Sequence, residues 1–165
     1  YHGGFDKACY LYSADHYSFW KNKYPAQLWQ WGMFGENLTE AGLNESEIRI
    51  GDRFKIGDAE VQVSQPRQPC FKLGVRFGDQ RVVDDFWQLP YPGIYVRVLQ
   101  PGNVRVGDEL ILIDRNTDSL SLSEVFSIFR LQRDNADLMS KAINDPFLAE
   151  SCRKDIRKIL DFSAE

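Results

Sequence analysis

The sequence predicts a mixed, mainly β protein, in which a β-barrel or sandwich with interspersed short helices is followed by a small three-helix module. The first observation is an internal repeat: residues 48–54 and 104–110 each predict a strand, a Gly-Asp turn and a second strand. The second is the alternation of apolar and polar residues in short segments rich in β-branched types. The third is a change of hydrophobic period after Asn116, from two to that of a helix. We therefore predict a β domain over residues 1–115 and a helical module over residues 116–165.

The β domain is predicted to contain about six short strands separated by turns, which is the spacing typical of a barrel or sandwich. Ser13 is a suitable cap for a short helix over residues 15–22, and Asp79 is a suitable cap for another helix before Pro90. These two helices interrupt the series of strands. Apart from the repeat, the predicted strands cover residues 8–12, 60–65, 93–99 and 109–114.

Residues 116–165 carry three apolar stripes at helical spacing, so three short helices are expected to pack together. Asp145 and Pro146 fit the N-cap and the first position of the third helix. Cys152 on that helix and Cys9 in the first strand are predicted to be small core residues. The stripes consist of Val125, Ile128 and Phe129; of Leu138, Met139, Ala142 and Ile143; and of Leu148, Cys152, Ile156, Ile159 and Leu160.

The composition excludes several classes of function. The chain has 165 residues, a formal net charge of −4 and no basic segment, so binding to duplex nucleic acid is not expected. No apolar run reaches the roughly 18 residues that span a bilayer and no signal peptide opens the sequence, so we expect a cytoplasmic protein without membrane contact. Three cysteines without paired spacing argue against a disulfide framework and against a CxxC zinc site. The sequence also lacks the motifs of nucleotide-binding folds, P-loops, zincins and α/β hydrolases.

Cys70 is the residue placed most like a chemical centre, within the segment Gln-Pro-Arg-Gln-Pro-Cys-Phe-Lys. Pro66 and Pro69 stiffen this loop, because each proline fixes its own φ and restricts the residue before it. Arg67 and Lys72 favour the thiolate, which is the form that attacks electrophiles or binds soft metals. The pattern therefore predicts a thiolate site, and the alternative is a buried, inert cysteine in a proline-rich turn.

Other loops offer polar groups that suit such a site. His2 and Lys7 flank a short glycine loop whose backbone amides are able to approach an anion, although a flexible chain start with a solvated histidine also explains it. Asn37 follows Gly35 and Glu36 in a second loop and is, from the local sequence alone, a turn residue. Together with the thiol, these groups suit an anionic cofactor held by basic side chains and a metal bound by sulfur.

Five motifs follow one another along residues 1–113. They are Tyr1-His2-Gly3-Gly4 with Asp6-Lys7-Ala8; Asp15-His16-Tyr17 with Trp20; Phe34-Gly35-Glu36-Asn37-Leu38-Thr39 with Gly42-Leu43; Ile50-Gly51-Asp52; and Gln65-Pro66-Arg67-Gln68-Pro69-Cys70-Phe71-Lys72. In this order they resemble the MOSC domain, which is named for the C-terminal domain of molybdenum cofactor sulfurase. The resemblance is closest to the bacterial YiiM-like branch of the family, in which a small three-helix module follows the domain.

The resemblance implies a MOSC-type β-barrel that binds the molybdenum cofactor, a molybdopterin, with Cys70 as the protein ligand to molybdenum. It also implies that Lys7 or His2 is a nearby acid that supplies a proton in catalysis. The implied candidates for holding the pterin phosphate or the substrate are His2, Lys7, Asn37, Arg67 and Lys72.

Members of this branch are associated with the reduction of N-hydroxylated purines such as 6-N-hydroxylaminopurine, which are mutagenic base analogues. The resemblance thus implies a detoxifying oxidoreductase. Because the sequence carries no flavin or iron–sulfur motif, the electrons are expected from a separate flavoprotein reductase. One alternative is a non-catalytic carrier of cofactor or sulfur that acts on a partner through Cys70. Another is a role in protein contacts that does not need the cysteine.

Family members usually begin some tens of residues before the His-Gly-Gly motif, with strands that complete the barrel. The resemblance therefore implies that N-terminal strands of the barrel are missing from this sequence. Missing strands would leave a sheet edge exposed, and an exposed edge favours association. A homodimer is one form of association that we expect.

Overall fold

The structure is a computed structural model and describes residues 4–162. Two 3₁₀ helices, Phe5–Lys7 and Ala14–His16, lie on either side of the first strand. The strands are β1 (Cys9–Ser13), β2 (Leu38–Glu40), β3 (Arg53–Ile56), β4 (Ala59–Pro66), β5 (Ile94–Gln100) and β6 (Leu110–Asp114). The α-helices are α1 (Tyr17–Lys23), α2 (Phe71–Phe77), α3 (Arg81–Gln88), α4 (Leu122–Ile128), α5 (Ala136–Asn144) and α6 (Glu150–Phe162).

The strands form one curled, mixed sheet, a half-barrel, in the order β2-β1-β5-β4-β3-β6. β1 and β2 run parallel, whereas every other neighbouring pair is antiparallel. In the register of β1 with β5, Tyr10 lies opposite Tyr95, and Cys9 lies opposite Val96. The prediction of a mainly β, barrel-type fold with interspersed helices is confirmed.

β6 is an edge strand of this sheet, and its apolar side chains are exposed. Ile111, Leu112 and Ile113 are each more than a third exposed. At the other edge, β2 is only three residues long. The described part of the chain therefore has an apolar sheet edge with which a further strand is able to pair.

The two faces of β1 contribute to two different cores, because successive side chains of a strand point to opposite sides of the sheet. Leu11 belongs to a core that the sheet shares with the C-terminal helices, and this core includes Met139 and Cys152. Tyr10 and Tyr12 belong to a second core, which is largely aromatic. The other buried members of this aromatic core are Tyr17, Trp20, Met33, Phe34, Leu73, Phe77, Val82 and Phe86.

The C-terminal region contains the three expected helices, but the third begins later than predicted. Asp145 is the C-cap of α5 rather than the N-cap of the next helix, and α6 begins at Glu150. The Asp145 carboxylate accepts hydrogen bonds from the Phe147 N–H, at 2.8 Å, and from the Ser119 hydroxyl. The bond from Phe147 is of the N-cap type, but the turn does not continue into a helix, because the Ala149 N–H donates to the Ser64 carbonyl of β4 at 2.9 Å. These helices share a hydrophobic core with the sheet. The division of the chain into two domains after residue 115 stays a prediction.

The internal repeat is present in the structure, but its first half is not a strand of the sheet. In each copy the Asp carboxylate accepts a hydrogen bond from the backbone N–H of the Arg three residues earlier. The distance is 3.0 Å between Asp52 and Arg49, and 2.7 Å between Asp108 and Arg105. Because the Asp carboxylate accepts from the backbone N–H of the arginine, that N–H is not available to a neighbouring strand, and a tight turn forms instead. The prediction of two strands in each copy was therefore wrong in its first half.

The sequence does not predict α2, because its exposed face is unusually apolar. Phe71 and Val75 are each about two thirds exposed, so apolar residues lie on the exposed as well as the buried side and the helical pattern is obscured. Leu73 and Phe77 pack into the aromatic core. Gly78, with a φ of 66°, ends the helix in the left-handed conformation. None of the helices that the structure describes is long and apolar enough to cross a membrane.

We expect the stability of the protein to fall as the pH rises above about 9, in part because of Cys152. Burial of this thiol raises its pKa from 9.0 to about 12. The thiol ionises more readily in the unfolded chain, so its contribution is fully present below 9.0 and is lost as the pH rises toward 12. One such group changes the free energy of unfolding by ~1.4 kcal/mol per pH unit within this window.

The measurement is urea unfolding at a series of alkaline pH values for the wild type and Cys152→Val. Valine keeps the site apolar and cannot ionise. The variant should lose stability less steeply with pH than the wild type. Parallel curves for the two proteins would contradict the assignment to Cys152.

Candidate functional site

A cavity of about 400 Å³ lies where β1, β5, the loop after β4 and α2 meet. Its position at the ends of these elements allows side chains distant in sequence to face one space. The residues lining it are Lys7, Ala8, Tyr10, Met33, Phe34, Gly35, Asn37, Arg67, Cys70, Lys72, Leu73, Arg76 and Tyr95.

Cys70 lies at the turn between β4 and α2, where it is the N-cap residue of the helix. Its backbone is extended, with φ −137° and ψ 173°, and its carbonyl accepts a hydrogen bond from the Leu73 N–H at 2.9 Å. Pro66 ends β4 and Pro69 is buried, so the segment before the cysteine is held at both prolines. Cys70 is partly exposed and lines the cavity, whereas Cys152 is fully buried.

Arg67 is a buried cation held between two aromatic rings. It is only 7% exposed, and its guanidinium carbon lies 5.2 Å from the ring centroid of Tyr10 and 5.2 Å from that of Phe86. Its Nη1 atom is buried and has no hydrogen-bond partner within residues 4–162. The aromatic core therefore holds a positive charge at the wall of the cavity, and no carboxylate of the described residues forms an ion pair with it.

The structure brings four of the other predicted site residues to the same cavity as Cys70. Lys7, Arg67 and Lys72 supply cations to its wall. Asn37 also lines it and is tied to β1: its Oδ1 accepts from the Tyr10 N–H, and its own N–H donates to the Tyr10 carbonyl, each at 2.8 Å. The remaining prediction, His2, lies outside the described residues.

Tyr95 and Arg76 are site residues that the sequence did not indicate. Tyr95 lies in β5, and the Lys7 ammonium sits 5.7 Å from its ring centroid. Burial raises the pKa of Tyr95, and the nearby Arg67, which is hydrogen-bonded to its hydroxyl, opposes this shift. Arg76 follows Lys72 by four residues on α2, so both point from one helix face. The spacing of four residues indicates a shared face only if this segment is already known to form a helix.

The loop that carries Asn37 is organised by Glu36, which is buried rather than a solvated turn residue. Its carboxylate accepts hydrogen bonds from the N–H groups of Gly32 and Phe34, each at 3.0 Å. It also accepts from the hydroxyls of Thr39, at 3.1 Å, and of Tyr17. One carboxylate therefore satisfies four donors and shapes this wall of the cavity.

The electrostatics of the cavity differ from those of the whole protein. The chain has a net charge of −4, yet four cations and no Asp or Glu are found among the cavity-lining residues of the described chain. Arg67 is buried and Lys7 is partly buried, which strengthens their attraction for an anion relative to the exposed Lys72 and Arg76. A soft sulfur donor and a cationic wall thus occur together.

The fold and the site define a class of protein: a binding domain on a curled β-sheet, with a cysteine in a cation-lined cavity. The model of the MOSC domain family matches residues 1–111, and the chain belongs to this family. The family is named for the C-terminal domain of molybdenum cofactor sulfurase, and membership supports a function associated with the molybdenum cofactor.

The chain is similar to proteins of the same family along most of its length. It is 41% identical over 160 residues to the uncharacterized protein YflK of Bacillus subtilis (strain 168), which covers 97% of this chain and 72% of YflK. It resembles the crystal structure of YiiM from Geobacillus stearothermophilus with a TM-score of 0.90 at 38% identity, over 96% of this chain and 80% of that one.

One longer relative is named as a reductase. The chain is 33% identical over 148 residues to a protein named Reductase from Gibberella moniliformis (strain M3125 / FGSC 7600). The match covers 88% of this chain but only 26% of that protein.

Proposed function

We propose that this protein is a molybdenum-cofactor oxidoreductase that reduces N-hydroxylated, purine-type base analogues such as 6-N-hydroxylaminopurine to the corresponding amines. The observation that carries the proposal is the position of Cys70 in a cavity with four lining cations and no acidic lining residue in the described chain. Family membership supplies the identity of the cofactor.

The residues present fit a molybdopterin. Its dithiolene and phosphate groups are anionic, and the cavity offers cations without competing carboxylates. Cys70 supplies a soft sulfur ligand for the metal. Lys7, Asn37, Arg67 and Lys72 would hold the pterin phosphate or the substrate. When bound, the cofactor supplies a two-electron redox centre.

The reaction converts R–NH–OH, two electrons and two protons into R–NH₂ and water, with cleavage of the N–O bond. Lys7 is our proposed proton donor, since its Nζ lies in the cavity wall beside Tyr95 and is a hydrogen-bond donor within reach of a group bound there. His2 is a second proposed donor. The aromatic side chains of Tyr10, Phe34 and Tyr95 limit the access of water to the reacting group.

The proposed electron donor is a separate flavoprotein reductase. The printed sequence has no dinucleotide-binding glycine motif. In the Reductase of Gibberella moniliformis, the region similar to this chain is about a quarter of the protein, which leaves room there for further domains. For the protein described here, a redox partner in a separate chain would supply the electrons.

The test is reduction of 6-N-hydroxylaminopurine by the cofactor-loaded protein, with an electron-donating flavoprotein reductase and its reduced nicotinamide donor. We expect adenine to form in proportion to the nicotinamide oxidised, and Lys7→Met to lower kcat by about 100-fold, as for the loss of a general acid. Lys55→Met, which removes an exposed cation of β3 outside the cavity lining, should leave the rate unchanged.

Full activity of Cys70→Ser together with retained molybdenum would overturn the proposal. Loss of molybdenum during purification, without any turnover of N-hydroxylated bases, would favour the carrier function instead. Detection of a persulfide on Cys70 after mild sulfur donation would support that alternative.

A further inference from the structure

The exposed face of α2 combines apolar and basic side chains at the edge of the cavity. Phe71 and Val75 are 66% and 67% exposed, and their spacing of four residues places them side by side on the helix. Lys72 and Arg76 are also exposed, have the same spacing and line the cavity. The helix therefore presents an apolar ridge to the solvent, next to a basic ridge at the rim of the cavity.

This face is positively charged, although the protein has a net charge of −4. No residue of α2 is acidic. The first acidic residue after the helix, Asp79, is ion-paired with Arg81 at 2.7 Å, which limits its effect on Lys72 and Arg76. Exposed apolar side chains next to charges of one sign are typical of a contact surface, and the positive sign fits a partner with an acidic surface.

The helix also lies next to the proposed redox site. Its first residue follows Cys70 directly, and seven helical residues span only about 10 Å. A protein bound to this face therefore lies within about one helix length of the Cys70 thiol. The proposed reaction consumes two electrons in each turnover, so a protein that donates them has to approach this site and leave it repeatedly.

We propose that the exposed face of α2 docks the acidic surface of the electron-donating flavoprotein. The inference rests on the proposed function and adds to it the surface that the redox partner contacts. Redox encounters are among the smallest protein interfaces, so one short helix with a few anchoring side chains suits them. Charges of opposite sign on the two partners speed their association without making the complex long-lived.

A flavoprotein suits this face better than a second copy of the chain or a membrane. In a two-fold dimer the same patch meets itself, so Lys72 and Arg76 of one copy would face like charges of the other. A membrane-surface helix binds through the apolar area that it buries, and two exposed apolar side chains on a seven-residue helix offer little.

The test measures binding of a flavodoxin, chosen for a negative net charge, to the full chain purified from cells that do not make the molybdenum cofactor. Bio-layer interferometry gives the affinity and the rates. We expect saturable binding that weakens several-fold between about 0.05 and about 0.2 M salt, because salt screens the charges. Val75→Glu should weaken binding about tenfold or more, since it removes an apolar contact and places a like charge against the partner.

Val106→Glu is the matched control, because Val106 is a fully exposed valine in the turn before β6, outside α2. It makes the same change of charge and should bind flavodoxin like the wild type. Glutamate forms helices at least as well as valine, so Val75→Glu should leave α2 intact. Arg76→Gln should slow association and reduce the salt dependence.

Three results would overturn the docking face: no flavodoxin binding by the wild type, equal affinity in the wild type and Val75→Glu, or equal losses in both glutamate variants. Self-association of the wild type that Val75→Glu abolishes would also overturn it, and would assign the face to a second copy. The proposed reaction is tested separately, with dithionite as an electron donor that needs no docking. Absence of that turnover, with flavodoxin binding intact, would refute the reaction alone.

Discussion

Replacing Cys70 with serine is expected to remove molybdenum from the purified protein. The cavity contains one cysteine, and a serine hydroxyl is a harder, weaker donor for a soft metal site. Loss of a metal ligand should reduce metal affinity by more than the ~100-fold that loss of a supporting hydrogen bond to a ligand produces. The measurement is elemental analysis together with pterin fluorescence on protein from cells that make the cofactor.

Cys9→Ser is the matched control for this experiment. Cys9 is a partly buried cysteine of β1 outside the cavity lining, so the control makes the same chemical change elsewhere in the chain. It should retain wild-type molybdenum. Equal metal content in Cys70→Ser and the wild type would show that Cys70 is not the ligand. Equal losses in both serine variants would show a general effect of destabilisation.

Replacing Glu36 with alanine is expected to cause the largest loss of stability among single changes near the site. The buried carboxylate accepts from two backbone N–H groups and from the hydroxyls of Thr39 and Tyr17. Without the carboxylate, these buried donors would have no acceptor. We expect the free energy of unfolding to fall by at least ~3 kcal/mol, measured by urea denaturation.

The control for Glu36 is Thr39→Ala, which removes one donor and leaves the carboxylate in place. Its expected cost is about 1 kcal/mol. Because Glu36 shapes the loop that carries Asn37, Glu36→Ala should also lower the molybdenum and pterin content of the purified protein, whereas Thr39→Ala should not. A loss below 1 kcal/mol for Glu36→Ala would mean that water replaces the carboxylate at these donors.

Local patterns were sufficient to predict the type of fold and the position of Cys70 in a restrained loop. The alternation of apolar residues in short segments predicts strands because side chains of a strand alternate between its two faces. The proline pair around Arg67, next to Cys70, marks a restrained loop because proline limits φ within two or three residues. The helical period after Asn116 is likewise a property of neighbouring residues.

Competition for hydrogen bonds decided the elements that the sequence misplaced. Asp52 and Asp108 each bind the N–H group of a nearby arginine, so a turn forms where alternation predicted a strand. Asp145 accepts from the Phe147 N–H, but the Ala149 N–H donates to Ser64 of β4, so α6 begins only at Glu150. A carboxylate has several available donors, and only the folded chain determines which of them it meets.

The sequence by itself determined that β-strands with a restrained thiol come first and helices follow, because each of these signals is carried by residues close together in the chain. Only the tertiary structure decided what surrounds that thiol. Tyr95 reaches Arg67 through the pairing of β4 with β5, and Lys7 reaches Tyr95 from the segment before β1. The buried, unpaired charge of Arg67 likewise arises from contacts between segments distant in sequence, so no local pattern reveals it.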